Sequence, residues 1–245
     1  MRARIYTILE VCFIAIFCFS LFKLGTIGYG YVKGDQLYKD SQKEFLTSED
    51  SKSSLIVTVD FDALWEINKD IVGWIYSSDT PVNYPLLQTL DNSYYLKRTY
   101  NHVYSDFGSI FIDYRCNKDL TDLNTIIYGH NTKNGSMFGT FKKYKTKSYF
   151  DKHKYIYIFY PDKSFKYEVI AAYTVTTSDP VYTLNFTSDD EFKNWLNDVI
   201  SNSEAETNKT EITGKEKIIT FSTCTSRSKT ERFVVVAEQI EIVEK

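Results

Sequence analysis

Hydrophobic and polar positions divide the chain into three regimes. Residues 5–22, IYTILEVCFIAIFCFSLF, are almost continuously apolar, with Glu10 as the one charge, and the apolar character fades after Lys23 through LGTIGYGYV. Residues 34–56 are polar and charged, with Leu37, Phe45 and Leu46 on roughly one side of a short helical stretch. DFDALWEIN then offers Asp60 as an N-cap and Phe61, Leu64 and Trp65 at i, i+3 and i+4, predicting a short amphipathic helix. From Val72 the period changes. VGWIY, NYPLL, GSIFIDY, NTIIYG, KYIYIFY, SFKYEVIAAYTV, EKIIT and RFVVVAEQIEIV are short runs rich in β-branched and aromatic residues, separated by turn residues such as Pro161–Ser164. About eight strands of this kind predict a closed barrel or a sandwich. One long helix interrupts them: residues 188–201 carry Ser188 and Glu191 in a capping-box pattern and Phe192, Trp195, Leu196 and Ile200 on one face.

The N-terminal run changes what the rest can be. Residues 1–4 hold two arginines, and an apolar stretch of this length behind them is expected to be a signal anchor over residues 5–31 with a cytoplasmic N-terminus. A cleaved signal peptide is the competing expectation, but no clear A-x-A-like site follows. Residues 32–56 are expected to be a juxtamembrane helix and linker, and the remainder an extracellular domain. A net charge of −3 without a basic block argues against nucleic acid as a partner. Aromatic residues at 16% favour a packed β-rich domain.

Of four cysteines, Cys12 and Cys18 fall in the apolar run and only Cys116 and Cys224 remain outside it. Two cysteines in a secreted domain allow one disulfide. No C-x-x-C pair or His/Cys cluster has metal-ligand spacing, so no metal and no cofactor is expected. In TFSTCTSRSKTERFVVV, Cys224 ends one apolar strand and Arg232 opens the next. If the two strands pair, the loop Thr225–Glu231 sets a thiol beside a guanidinium. A thiol with a pKa near 8.5 is only about 3% ionised at pH 7, so a nucleophilic cysteine needs a partner. His102 and His153 lie in polar, charged stretches and are expected to be solvated. His130 instead ends the strand TIIYG and opens a polar loop, at a strand end where a scaffold can present a catalytic side chain. Cys, His and Arg supply a nucleophile, a proton carrier and an oxyanion donor, the three functions that acyl transfer uses. A transpeptidase, a cysteine hydrolase and a non-catalytic binding module with a Cys116–Cys224 disulfide all remain open at this point.

The motifs resemble those of sortases, class B in particular. TFSTC is similar to the family's T-L-x-T-C with Phe221 in place of Leu, YGHN (128–131) to its histidine segment, and Arg232 to its arginine. IVGWI, YPLLQ with DNSYYL (84–96), and GSIFIDYR (108–115) carry the class B resemblance, which covers roughly residues 57–245. The resemblance implies a mostly β fold, a closed eight-stranded sortase-type β-barrel with N-terminal helices and a long helix before the last two strands. It implies a transpeptidase held at the cell membrane, with its catalytic domain outside. Cys224 would attack the threonine carbonyl of a C-terminal sorting signal, NPQTN-like or SPxTG-like, on a secreted protein. His130 would protonate the leaving amine, and Arg232 would hold the oxyanion with help from a backbone N–H near Cys224. The acceptor would be an amine on a cell-wall peptide or lipid-linked precursor. Asn92, Leu96 and Ser222 match groove positions that touch the sorting signal, and Thr177 and Tyr182 are expected in the groove wall. Thr225 stands where some relatives carry an acidic residue.

Overall fold

The structure, a computed structural model, describes residues 2–51, 54–205, 207, 211–225 and 228–244. A helix α1 (Arg2–Phe45) leads into a hairpin of β1 (Leu46–Ser51) and β2 (Ser54–Val59), and then into α2 (Phe61–Ile67). The barrel strands follow: β3 (Ile71–Tyr76), β4 (Asn83–Leu87), β5 (Ile110–Ile112) and β6 (Asn124–Tyr128). A short helix α3 (Lys147–Lys152) precedes β7 (Tyr155–Phe159) and β8 (Lys163–Thr176). Helix α4 (Asp189–Ser201) separates these from β9 (Ile218–Cys224) and β10 (Glu231–Glu244). The eight strands β3–β10 close in the order β10-β8-β7-β3-β4-β5-β6-β9. These are the eight apolar runs of the sequence, and of the two architectures they allowed the molecule adopts the barrel. Two joins are parallel, β4 with β5 and β6 with β9, and the others are antiparallel.

The unbroken apolar run of β10 has a simple cause. Side chains alternate across a strand, so Phe233, Val235 and Ala237 enter the main core of the barrel while Val234 and Val236 face outward. The outward set is covered by α4, whose Phe192, Trp195, Leu196 and Val199 are buried in the same outer cluster. Val199 takes the place expected for Ile200, which is only partly buried. Ser188 Oγ accepts the Glu191 N–H at 3.1 Å, as the capping pattern predicts. The Glu191 carboxylate bonds Thr187 rather than Ser188. Asp60 caps α2 by accepting the Ala63 N–H at 3.0 Å.

Two sequence expectations need correction. The helix expected within residues 32–56 is present, as the continuation of α1 to Phe45, which buries Tyr38, Ser41 and Phe45; the part read as linker instead contributes strands, Leu46–Ser51 pairing with Ser54–Val59. Tyr38 Oη donates to the Gly108 carbonyl at 2.7 Å, and its ring stacks on Phe107 at 5.6 Å. Tyr38, Ser41 and Phe45 fall at i, i+3 and i+7, so the buried face includes Phe45 of the expected set together with Tyr38 and Ser41. His153 is not solvated either. It is 6% exposed, its ring lies 4.2 Å from that of Tyr149, and Nδ1 is 3.2 Å from the Ser78 carbonyl. His102 is exposed, as expected.

Candidate active site

Strand register brings the three candidate catalytic residues to one end of the barrel. In the antiparallel β9–β10 pair, Cys224 and Arg232 are direct partners. In the parallel β6–β9 pair, Tyr128 is opposite Ser222. The Gly129 N–H donates to the Ser222 carbonyl at 3.1 Å, which carries the pairing one step past β6. His130 and Cys224 thus lie two positions beyond a matched pair, on strands running the same way about 4.8 Å apart. All three line one cavity of about 190 Å³, together with Asn92, Leu96, Ser222 and others named below.

The Cys224 thiol is free and exposed. The His130 imidazole is fixed by Nε2, 2.7 Å from the Leu96 carbonyl. A carbonyl can only accept, so Nε2 carries a proton and Nδ1 is the nitrogen left to exchange one. Gly108 makes room for this arrangement. It has φ +61°, and a Cβ there would lie 2.7 Å from His130 Nε2 and 2.8 Å from the Leu96 carbonyl oxygen. The positive φ and the crowding both require glycine. Arg232 Nη1 donates to the Lys229 and Glu231 carbonyls at 2.8 and 3.0 Å. Among the described residues no carboxylate pairs with the guanidinium, so its remaining donors are available to an anion. The Thr225 N–H, just past the nucleophile, donates to the Glu231 carbonyl at 3.2 Å. It closes the neck of the loop.

Of the predicted groove residues, Asn92, Leu96 and Ser222 line the cavity. Asn92 Oδ1 also accepts the Tyr114 N–H at 3.0 Å. Tyr182 reaches the site through a 2.8 Å hydrogen bond between its hydroxyl and that of Ser222. Burial is the main reason its phenol is pushed up, with the Ser222 hydroxyl and Arg232 pulling the other way. Thr177 lies outside the cavity, where its N–H donates to the Thr230 carbonyl. Phe221 points into the barrel, edge-on to Phe138 and Phe141, as strand alternation predicts for a residue one before Ser222.

Sequence reasoning missed Ser109, Phe111, Tyr128, Gly129 and Thr223, which also line the cavity. All five lay inside the quoted motifs GSIFIDYR, YGHN and TFSTC, and the β5–β6 and β6–β9 registers bring them to one end of the barrel. Tyr128 is held from behind. Its hydroxyl donates to Asp113 Oδ2 at 3.0 Å, and Asp113 is fully buried and gripped by Arg115 Nε and Nη2 at 2.9 and 2.8 Å. Burial alone would raise the Asp113 carboxyl, but the bonds from Arg115 and Tyr128 outweigh it and hold it below the usual carboxylate range. Cys116 is buried, accepts the Ile126 N–H at 3.5 Å, and is pushed up to about 11 by burial. Both outer thiols are free, so the Cys116–Cys224 disulfide of the binding-module alternative is absent. Among the described residues no cluster of His, Cys, Asp and Glu could hold a metal ion.

A model of the sortase domain matches residues 78–240. The chain is 35% identical to sortase B of Listeria monocytogenes over 218 residues, 88% of each chain. It is 32% identical to sortase B of Staphylococcus aureus over 244 residues, 98% of each. Among solved structures, sortase B from B. anthracis in complex with AAEK1 superposes with a TM-score of 0.76 at 34% identity, covering 88% of this chain and all of that one. The Staphylococcus aureus sortase B–substrate complex superposes with a TM-score of 0.69 at 36% identity, covering 74% and 84%. The barrel, its late helix and these likenesses agree that the chain belongs to the sortase family and is a transpeptidase of class B.

Proposed function

We propose that the chain is a membrane-anchored cysteine transpeptidase that cleaves a C-terminal sorting signal after threonine and joins the freed carboxyl end to a cell-wall amine. The observation that carries this reading is the register that sets Cys224 directly opposite Arg232, with His130 in the same cavity. His130 Nδ1 takes the thiol proton, and the Cys224 thiolate adds to the threonine carbonyl carbon. The guanidinium of Arg232 stabilises the oxyanion, since it stays charged and its donors have a fixed geometry. Collapse breaks the peptide C–N bond, the departing amine takes its proton from His130, and a thioester remains on Cys224. The incoming amine loses its proton to His130 as it attacks the thioester, and the Cys224 sulfur leaves. The NPQTN-like or SPxTG-like signal would lie along Asn92, Leu96 and the Ser222–Tyr182 pair.

The membrane part of the reading is supported by α1. Among the described residues it is the one helix long and apolar enough to cross a bilayer, and no part of its apolar window is buried. We place the N-terminus in the cytoplasm and the barrel outside on the strength of Arg2 and Arg4.

The test is incubation with peptides bearing NPQTN-, NPKTN-, SPxTG- and LPxTG-type signals, with and without an added amine, read by mass spectrometry. A threonine–amine adduct that vanishes in Cys224→Ala is the expected outcome. Free acid alone, whatever amine is supplied, would make the enzyme a hydrolase.

A further inference from the structure

A second crevice, of about 380 Å³, shares no lining residue with the first and lies where α1 meets the barrel. One wall is the helix from Thr26 to Leu37 and the other is the segment Thr99–Phe107. Its rim is apolar and open to solvent. Tyr29 is 69% exposed, Tyr104 64% and Val103 50%. Single exposed apolar residues are ordinary, but a contiguous group beside a crevice marks a contact surface.

The occupant follows from position along the helix. A bilayer hydrocarbon core of about 30 Å takes about 20 residues of helix. Counted from Tyr6, the apolar face of α1 fills that length by about Gly25, just past Lys23. At about 1.5 Å per residue, the next four or five residues cross a headgroup layer of about 5–7.5 Å. The crevice begins at Thr26, inside that layer, where Tyr side chains concentrate in membrane proteins. Lys33 and Asp106 also line it, charges of both signs suited to a zwitterionic headgroup.

The barrel side cannot drift from this level, because the helix is locked to it. A Cβ on Gly34 would lie 2.6 Å from the Phe107 ring, so helix and ring are in direct contact. Tyr31 meets Phe107 edge-on at 6.2 Å, and Tyr38 Oη bonds both the Gly108 carbonyl and, at 2.9 Å, Ser109 Oγ. Val103 and Tyr104 are therefore carried at a fixed depth relative to the span.

We propose that Tyr29, Val103 and Tyr104 form a lipid seat, lying in the headgroup layer of the bilayer that α1 crosses, with phospholipid of that bilayer filling the crevice. The proposal rests on the membrane crossing inferred above. The seat holds the barrel against the membrane and fixes the height of the catalytic cavity, two of whose walls, Leu96 and Ser109, flank this segment on either side.

The full chain carrying Tyr104→Trp, reconstituted in phosphatidylcholine–phosphatidylglycerol vesicles, tests this. Emission from Trp65, Trp74 and Trp195 is subtracted using the parent chain. The added indole should lose most of its emission when the lipids are brominated near the glycerol end of the acyl chain. If the chain floats with the vesicles while the added emission is untouched, the crossing stands and the seat is wrong. If the chain does not float, the crossing and the seat fail together. An emission shift that follows protein concentration in the absence of lipid would assign the crevice to a second copy and overturn the proposal.

Discussion

Cys116 and Cys224 are the same functional group in opposite settings. Cys116 sits under β6, buried, hydrogen-bonded to a backbone N–H and pushed up to about 11. Burial keeps its proton on and shields it from substrate. Cys224 ends β9 exposed, faces an arginine across the ladder and shares a cavity with a histidine. On the proposed mechanism, reactivity comes from where a strand stops rather than from the residue type. The histidines divide the same way. His153 is packed on Tyr149, while His130 is held by one carbonyl at the edge of a cavity.

The largest effect should separate the thiols. Cys224→Ala should abolish turnover and leave the thermal midpoint in place, whereas Cys116→Ala should keep the rate and lose about 1–2 kcal/mol in urea unfolding. Turnover lost in both would mean that burial does not distinguish them. Gly108→Ala should come next. A Cβ at φ +61° has to move His130 or the Leu96 carbonyl, and a shift near 1 Å costs about 100-fold in rate. An alanine enzyme with normal kcat would show that the imidazole does not need that carbonyl. Arg232→Lys should lose about 10- to 100-fold in kcat/KM, since an ammonium cannot keep both loop carbonyls and the oxyanion; full activity would show that charge alone suffices. His153→Ala should cost about 1–3 kcal/mol of stability at unchanged rate, while His102→Ala should be silent in both measurements. The smallest effect is a pH dependence. The folded Cys116 thiol is raised above the ordinary value near 8.5, so its stabilising contribution is complete below that pH and fades as pH rises toward about 11. Urea unfolding of the parent and of Cys116→Ala across that range should converge.

Much of the fold was legible because its strands are short, aromatic and bounded by turn residues, and hairpins such as β7–β8 pair neighbours in sequence. The candidate trio was legible because Cys224 ends one strand, Arg232 lies near the start of the next, and only one of three histidines follows an apolar run. The β1–β2 hairpin was not, because Leu46–Ser51 is mostly polar and reads as linker. The burial of His153 depends on Tyr149 and on Ser78 from a remote segment, which no local pattern reports. Tyr128 and Phe111 became cavity residues only through pairing with β9 and β5–β6 register, information that is long-range by nature.

The parallel β6–β9 join has a kinetic consequence. Thr220 Oγ1 donates to Asn124 Oδ1 across 96 residues of chain. Contacts of such separation carry a loop-closure cost before they return any stability, and they slow folding. On the proposed mechanism, His130 follows one strand of that join and Cys224 ends the other, so the same late pairing that closes the barrel is what brings imidazole and thiol together.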